Sequence, residues 1–244
     1  IITIAVRELV EFVLRGGSID NRFGGLDRMA EGSRIHRRLQ KAAGESYQAE
    51  VLLSLESRCG ALRLLVEGRA DGIYTDGEGT VVDEIKTTGA PLEVITEDFN
   101  PLHWAQAMCY AHMLCVREGW ETMRVRLTYY QVDTDEIRRF IRAYTADELA
   151  AFYADLLERY RRWGERRQDW EGTRDASIKA TVFPYPHYRP GQRRLAEAVY
   201  RTARDGGRLF CQAPTGIGKT ISTLYPAVKA LGEGYTEKLF YLTA

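Results

Sequence analysis

Apolar residues at helical spacing predict helices over about 5–15 and about 25–43. The pattern then changes to a period of two. Three strands are predicted near 47–57, 61–74 and 80–87, the second and third joined by Thr75-Asp76-Gly77-Glu78-Gly79, a turn rich in Gly and Asp. A helix over about 101–118 follows, then strands near 122–132 and 135–143, with Asp133-Thr134 at the turn. Leu149, Phe152, Leu156 and Tyr160 recur at helical spacing and predict a long helix from about 146 to 168. Thr145, with Glu148 three residues on, reads as its capping box.

Beyond this helix the periodicity fades, and residues 169–182 read as a linker. Pro184, Pro186 and Pro190 then interrupt regular structure. A helix over about 191–204, a strand at about 208–212, a Gly-rich turn, a helix at about 218–231 and an apolar strand, KLFYLTA, complete the chain. The first part therefore reads as αβββαβ and the second as the opening of a βαβ unit. Two domains are expected, 1–175 and 176–244. A strand that follows a turn and a helix seldom closes a domain, so the second is expected to be an incomplete lobe. The start at Ile1 likewise suits a segment of a longer protein.

Composition narrows the class. Of 244 residues, 45% are hydrophobic and 28% charged, which suits a globular protein with a real core. The formal net charge is zero, so any basic binding surface must be local. Cys59, Cys109, Cys115 and Cys211 form no CxxC pair and lack zinc or iron–sulfur spacing, as expected of reduced thiols. No apolar run is long enough to span a membrane. The opening IITIAVRELVEFVL carries Arg7, Glu8 and Glu11, which makes it an amphipathic helix rather than a signal peptide. A cytoplasmic protein with no membrane partner is expected.

Candidate chemistry begins with GRADGIY at 68–74 and VVDEIKT at 81–87. Glu84 and Lys86 are two apart on one predicted strand and so share a face. A hairpin can set Asp71 opposite them. Two close carboxylates repel unless a cation intervenes, and hard divalent ions prefer such oxygens. Asp83, next to Glu84, should face the other way. Upstream lies Gly32-Ser33-Arg34-Ile35-His36 and downstream Gln106-Ala107-Met108-Cys109-Tyr110. GxxxH, GxxD, ExK and QxxxY, in this order on α, β, β, α, resemble the RecB-type branch of the PD-(D/E)xK nucleases. The resemblance implies a restriction-endonuclease-like αβββαβ core. It implies that His36, Asp71, Glu84 and the carbonyl of Ile85 hold Mg²⁺ or Mn²⁺, that Lys86 assists the attacking water, and that Gln106 and Tyr110 support DNA and the site. Some relatives carry an iron–sulfur cluster; the cysteines here do not frame the core in that way, and none is expected. Arg34, Arg37, Arg38 and Lys41 surround His36 in sequence, as DNA-backbone contacts would. A second basic group, Arg159, Arg161, Arg162, Arg166 and Arg167, reads as the solvated end of a helix.

Residues 213–220 read APTGIGKT, a Walker A loop between a predicted strand and a predicted helix. Backbone N–H groups of Thr215, Gly216, Ile217, Gly218 and Lys219 can cradle phosphates at the helix N-terminus. Lys219 would reach the β and γ phosphates of ATP, and Thr220 would bind its Mg²⁺. With FPYPHYRPGQ before it and KLFYLTA after it, this stretch resembles the DinG/XPD group of superfamily 2 DNA helicases, which implies a RecA-like lobe and an adenine contact at Gln192. A Walker B box and the second motor lobe lie outside this sequence, so ATP hydrolysis by this segment alone is not expected. The combined expectation is a metal-dependent deoxyribonuclease attached to an ATP-driven helicase, acting on single-stranded or end-containing DNA. A catalytically inactive nuclease fold that guides DNA to the motor is the alternative. A small P-loop kinase or transport ATPase fails on the helicase-like flanks.

Overall fold

The computed structural model describes residues 1–16 and 26–242. Its elements run β1 (Ile2–Ala5), α1 (Val6–Leu14), α2 (Leu26–Ala42), β2 (Gln48–Cys59), β3 (Leu62–Asp76), β4 (Gly79–Thr88), a single 3-10 turn (Leu92–Val94), α3 (Pro101–Glu118), β5 (Thr122–Gln131), β6 (Ile137–Thr145), α4 (Ala146–Ala180), α5 (Gln192–Asp205) and α6 (Lys219–Gly232). The expected start of α2 at residue 25 lies outside the described residues. Two compact units emerge, Ile1–Glu165 and Arg166–Ala244.

Unit one is built on a six-stranded mixed sheet. β3 is its longest strand and carries partners on both edges. β2 lies antiparallel along one edge from Cys59↔Leu62 to Gln48↔Ile73. Two strands share the other edge: β1, parallel over Leu64–Glu67, and β4, antiparallel over Gly72–Asp76. After Asp83, β4 leaves β3, while its far edge pairs with β5, in parallel, from Val81↔Arg124 to Thr88↔Gln131. Gly68–Asp71 of β3 therefore border a notch rather than a ladder on that edge. β6 closes the sheet antiparallel to β5.

The alternation of β3 explains its central place. Leu62, Leu64, Val66 and Ala70 are fully buried, as are Val125 and Leu127 of β5. α3 covers this face and is buried along most of its length, from Trp104 to Cys115. Asn100 caps it through the Leu102 N–H, Pro101 opens its first turn and Gly119 ends it in the left-handed region. Such burial stabilises at roughly 25 cal/mol per Å² of apolar surface, so this helix is held by packing rather than propensity. The capping box of α4 forms as expected: the Thr145 N–H and hydroxyl both donate to Glu148, and the Glu148 N–H donates to Thr145 Oγ1.

Three expectations are corrected. Ile2–Ala5, read as part of the opening amphipathic helix, is strand β1, with Ile2 and Ile4 buried; four residues are too few for alternation to declare itself. Residues 169–180, read as a linker, continue α4. The weak periodicity there reflects the lack of a wide buried stripe, not the lack of a helix. Its Arg, Glu, Asp and Ala residues are compatible with helix, and Arg167–Glu171 forms an i,i+4 ion pair at 2.8 Å. Residues 208–212 and the described part of 238–244 form no strand. A strand exists through its ladder partner, and among the described residues these stretches have none. Phe210 is 95% exposed.

Candidate active site

The notch between β3 and β4 gathers side chains from four elements. Asp71 stands on β3 at the step where β4 diverges, and its Oδ2 accepts the Ile85 N–H at 2.7 Å. A side chain thus takes over the bond that a continuing ladder would have made. Glu84 and Lys86, on one face of β4, point into the same space, with Lys86 Nζ 2.6 Å from Glu84 Oε1. From α3, Gln106 Oε1 accepts from Lys86 Nζ at 2.9 Å. From α2, His36 Nδ1 lies 3.3 Å from Asp71 Oδ1. Tyr110 follows Gln106 by one turn of α3 and lies over Gly68, where an added Cβ would come within 2.7 Å of its hydroxyl. Ile85 is itself buried in the β4–β5 ladder.

Two glycines make the notch possible. Gly68 lets Tyr110 cross β3. At Gly72, an added Cβ would fall 1.9 Å from the Tyr47 ring and hydroxyl. Tyr47 uses that space to donate to Asp83 Oδ2 at 2.9 Å. Asp83 does face away from Glu84. It is 1% exposed and sits in a polar cluster behind the strand, accepting from Thr128 Oγ1 at 2.7 Å and from Arg126 Nε and Nη2 at 2.9 and 2.7 Å. Arg126 also donates to Tyr74 and lies over its ring.

Electrostatics follow from burial. Glu84 is 5% exposed, and burial pushes its carboxyl up to about 7; nearby Lys86 opposes the rise and Asp71 adds to it. A buried carboxylate beside a second one calls for positive charge. Burial works against protonation of His36, but its bond to Asp71 prevails and its pKa is raised. Burial also raises the Tyr110 hydroxyl, helped by Glu84 and Asp71. Among the described residues no three His, Cys, Asp or Glu side chains are drawn together as tightly as a metal centre requires. Lys86 occupies the near oxygen of Glu84 instead.

Sequence reasoning overlooked several neighbours. Gln40, one turn after His36 on α2, donates from Nε2 to the Asp71 carbonyl at 2.9 Å and to Glu50 Oε1 at 3.0 Å. Its i,i+4 spacing from His36 was the available signal. Tyr129 is the register partner of Lys86 across β4–β5, and its hydroxyl meets His103 Nδ1 at 2.9 Å. Burial lowers His103 to about 3, so its imidazole is neutral. Of the basic residues near His36, Arg38 binds Tyr130 and Asp135, while Arg37 and Arg34 contact Ser33 and Glu31 of their own helix. The second basic group does not end a helix as expected: α4 runs on to Ala180, and Arg159, Arg161 and Arg167 instead form ion pairs along it.

Unit two carries the glycine-rich loop. Thr215 lies in its turn, Gly216 and Gly218 adopt φ +88 and +85°, and Gly218 precedes α6. Ile217 packs against Gly191. Lys219 Nζ donates back to the carbonyls of Ala213 and Pro214, 3.1 Å each. The Thr220 hydroxyl accepts from Tyr241 at 3.5 Å. Gln192 is buried, accepts the Arg189 N–H at 2.9 Å and lies so close to Gly218 that a Cβ there would meet its amide at 2.5 Å. Arg189 in turn donates to the Gly216 carbonyl. The RPGQ segment and the loop are thus locked together.

Known proteins share parts of this chain. A probable ATP-dependent helicase of Methanocaldococcus jannaschii is 41% identical over 46 residues, a stretch that is 19% of this chain and 7% of that protein. The crystal structure of the protein SSO0001 is similar over 64% of this chain and 75% of its own, at 19% identity and a TM-score of 0.42. The model of the PD-(D/E)XK nuclease superfamily matches residues 9–185, which covers the whole notch and more than half of the sequence. With the mixed sheet and the carboxylates at its diverging strands, this match means that the chain belongs to the PD-(D/E)XK nuclease superfamily.

Proposed function

We propose that the chain hydrolyses DNA phosphodiester bonds with a divalent cation, as a nuclease of the RecB-type branch, and that it works with an ATP-driven DNA helicase motor of the DinG/XPD type. The observation that carries the nuclease reading is the divergence of β3 and β4, around which Asp71, Glu84, Lys86 and Gln106 converge with His36. The donor set fits Mg²⁺ or Mn²⁺: two carboxylates and a backbone carbonyl are hard oxygen ligands, and an imidazole suits Mn²⁺. The buried Glu84, raised by its surroundings, already draws a cation in the form of Lys86. His36, Asp71, Glu84 and the Ile85 carbonyl would hold the ion. Once bound, the ion would supply Lewis acidity toward the phosphate and make water a better nucleophile at neutral pH.

The remaining roles belong to the chain itself. Lys86, steadied by Gln106, would orient the attacking water and offset charge growing on the phosphate. Tyr110 would keep α3 seated on Gly68 and hold this wall of the site. Exposed Arg34 and Arg37 on α2, with Lys41, would meet the DNA backbone. In this reading residues 1–175 form the nuclease domain and 176–244 the first part of a superfamily 2 ATP-binding lobe. There Gln192 would contact adenine, Thr215 through Lys219 the phosphates and Thr220 the Mg²⁺ of ATP. The short likeness to a probable helicase and the lock between Gln192 and Gly218 support this second part. A bacterial cytoplasm is the compartment that the reading implies; no described helix is long and apolar enough to cross a membrane.

The test is incubation of the chain with end-labelled single- and double-stranded DNA and Mn²⁺, with an EDTA control. Cleavage that EDTA abolishes is expected. DNA binding without cleavage would instead describe a nuclease fold kept as a guide for DNA.

A further inference from the structure

Asp71 is gripped twice by one helix. His36 and Gln40 are four apart on α2 and share a face. The imidazole meets the Asp71 carboxylate at 3.3 Å, and the amide meets its backbone carbonyl at 2.9 Å. Gln40 is 7% exposed, so this amide is a committed, largely dry contact. The same Nε2 donates to Glu50 Oε1, and Glu50 Oε2 takes Arg69 Nη1 at 3.2 Å.

Glu50 is itself unusual. The β2–β3 register pairs Ala49 with Gly72 and Val51 with Ala70, which sets Glu50 opposite Asp71 at the step the ladder skips. Its φ is +57°, the left-handed region that side chains rarely adopt and that a strand interior does not need. Glycine would take this conformation without strain. A strained backbone persists where its surroundings over-determine it, commonly around functional sites. Here the surroundings are Gln40 and Arg69, and what they fix is Asp71, whose backbone has no ladder partner on the other edge and whose Oδ2 alone bonds β4 there, at the Ile85 N–H.

We propose that Gln40 and Glu50 are positioning residues that aim the Asp71 carboxylate at the divalent cation, and that the strain at Glu50 is retained for this task. The inference rests on the metal-dependent reading above. Glu50 acts through its shape and acceptor oxygens, not as a ligand.

Titration calorimetry with Mn²⁺ and thermal melting of the metal-free protein test it together, on wild type, Asp71→Asn, Glu50→Gly, Glu50→Gln and Gln40→Leu. Groups that orient a ligand typically change affinity by about 10–100-fold. Glu50→Gly is expected to bind Mn²⁺ at least about tenfold more weakly while melting no lower than wild type, because it relieves the left-handed strain. Glu50→Gln keeps an acceptor for Gln40 and should bind Mn²⁺ within about threefold of wild type, a smaller change than loss of an orienting group gives. Gln40→Leu should weaken binding as Glu50→Gly does. Three results would overturn the proposal. Glu50→Gly could bind as tightly as wild type. Glu50→Gln could lose as much affinity as Glu50→Gly, which would make the carboxylate a ligand by charge. Glu50→Gly could melt well below wild type, which would reduce the residue to a structural one. If wild type and Asp71→Asn both fail to bind Mn²⁺, the metal-dependent reading falls and this inference with it. Tight wild-type binding alongside an unaffected Glu50→Gly overturns the inference alone.

Discussion

Replacing Asp83 by Ala would remove the carboxylate that organises the back of β4. Asp83 accepts from Tyr47, Thr128 and two nitrogens of Arg126, and the side chains of Asp83 and Arg126 are only 2% and 18% exposed. Breaking a buried pair by deleting one partner costs about 3–5 kcal/mol, because the other charge is left without compensation. Arg126 keeps part of its support here, through the Tyr74 hydroxyl at 2.9 Å and the ring 4.5 Å below its guanidinium. The lower end of that range, about 3 kcal/mol, is therefore expected. For a folded unit of this size that corresponds to a fall in melting temperature of about 6–12 °C. Asp83→Asn retains the shape and one acceptor and should lose less, about 1–2 kcal/mol. Replacing both partners, as in Asp83→Leu with Arg126→Met, should destabilise less than Asp83→Ala alone, since no buried charge is left. Urea unfolding with unchanged slope measures all three. An Asp83→Ala loss below about 1 kcal/mol would place the pair among exposed ion pairs and refute its structural weight.

Further expectations concern the candidate site itself. Asp71→Asn, Glu84→Gln and Lys86→Ala should each remove most divalent-dependent DNA cleavage, by about 10²-fold or more, without loss of the folded circular-dichroism spectrum; full activity in Glu84→Gln would refute the assignment. His36→Ala should weaken Mn²⁺ binding more than Mg²⁺ binding, because imidazole is the softer ligand; calorimetry that shows neither ion affected would remove His36 from the site. Gly72→Ala should displace Tyr47 from Asp83 and destabilise by about 1–3 kcal/mol, since its Cβ would lie 1.9 Å from the ring; an unchanged melting temperature would mean that the ring moves aside freely.

Sequence alone determined much of the first unit. Strand-like runs marked β2 to β6, the helical spacing of Leu149, Phe152, Leu156 and Tyr160 marked α4, and the order of Gly68, Asp71, Glu84, Lys86, Gln106 and Tyr110 already resembled the family pattern. These are local signals: a strand side chain alternates and a helix face recurs, whatever the rest of the fold does. Tertiary structure alone decided how those residues meet. No spacing reveals that β1 and β4 share one edge of β3 and leave Asp71 at a gap between them. Nor does any spacing predict a left-handed Glu50 opposite it, or Asp83 bound to Arg126 some 43 positions away. Strand pairing is a property of two segments, and neither segment encodes its partner. For the same reason the apolar runs at 208–212 and 238–242, which read as strands by composition, form none among the described residues. The helix through 169–180 shows the converse. Backbone hydrogen bonds within one segment sustain it without a buried stripe, so hydrophobic periodicity could not announce it.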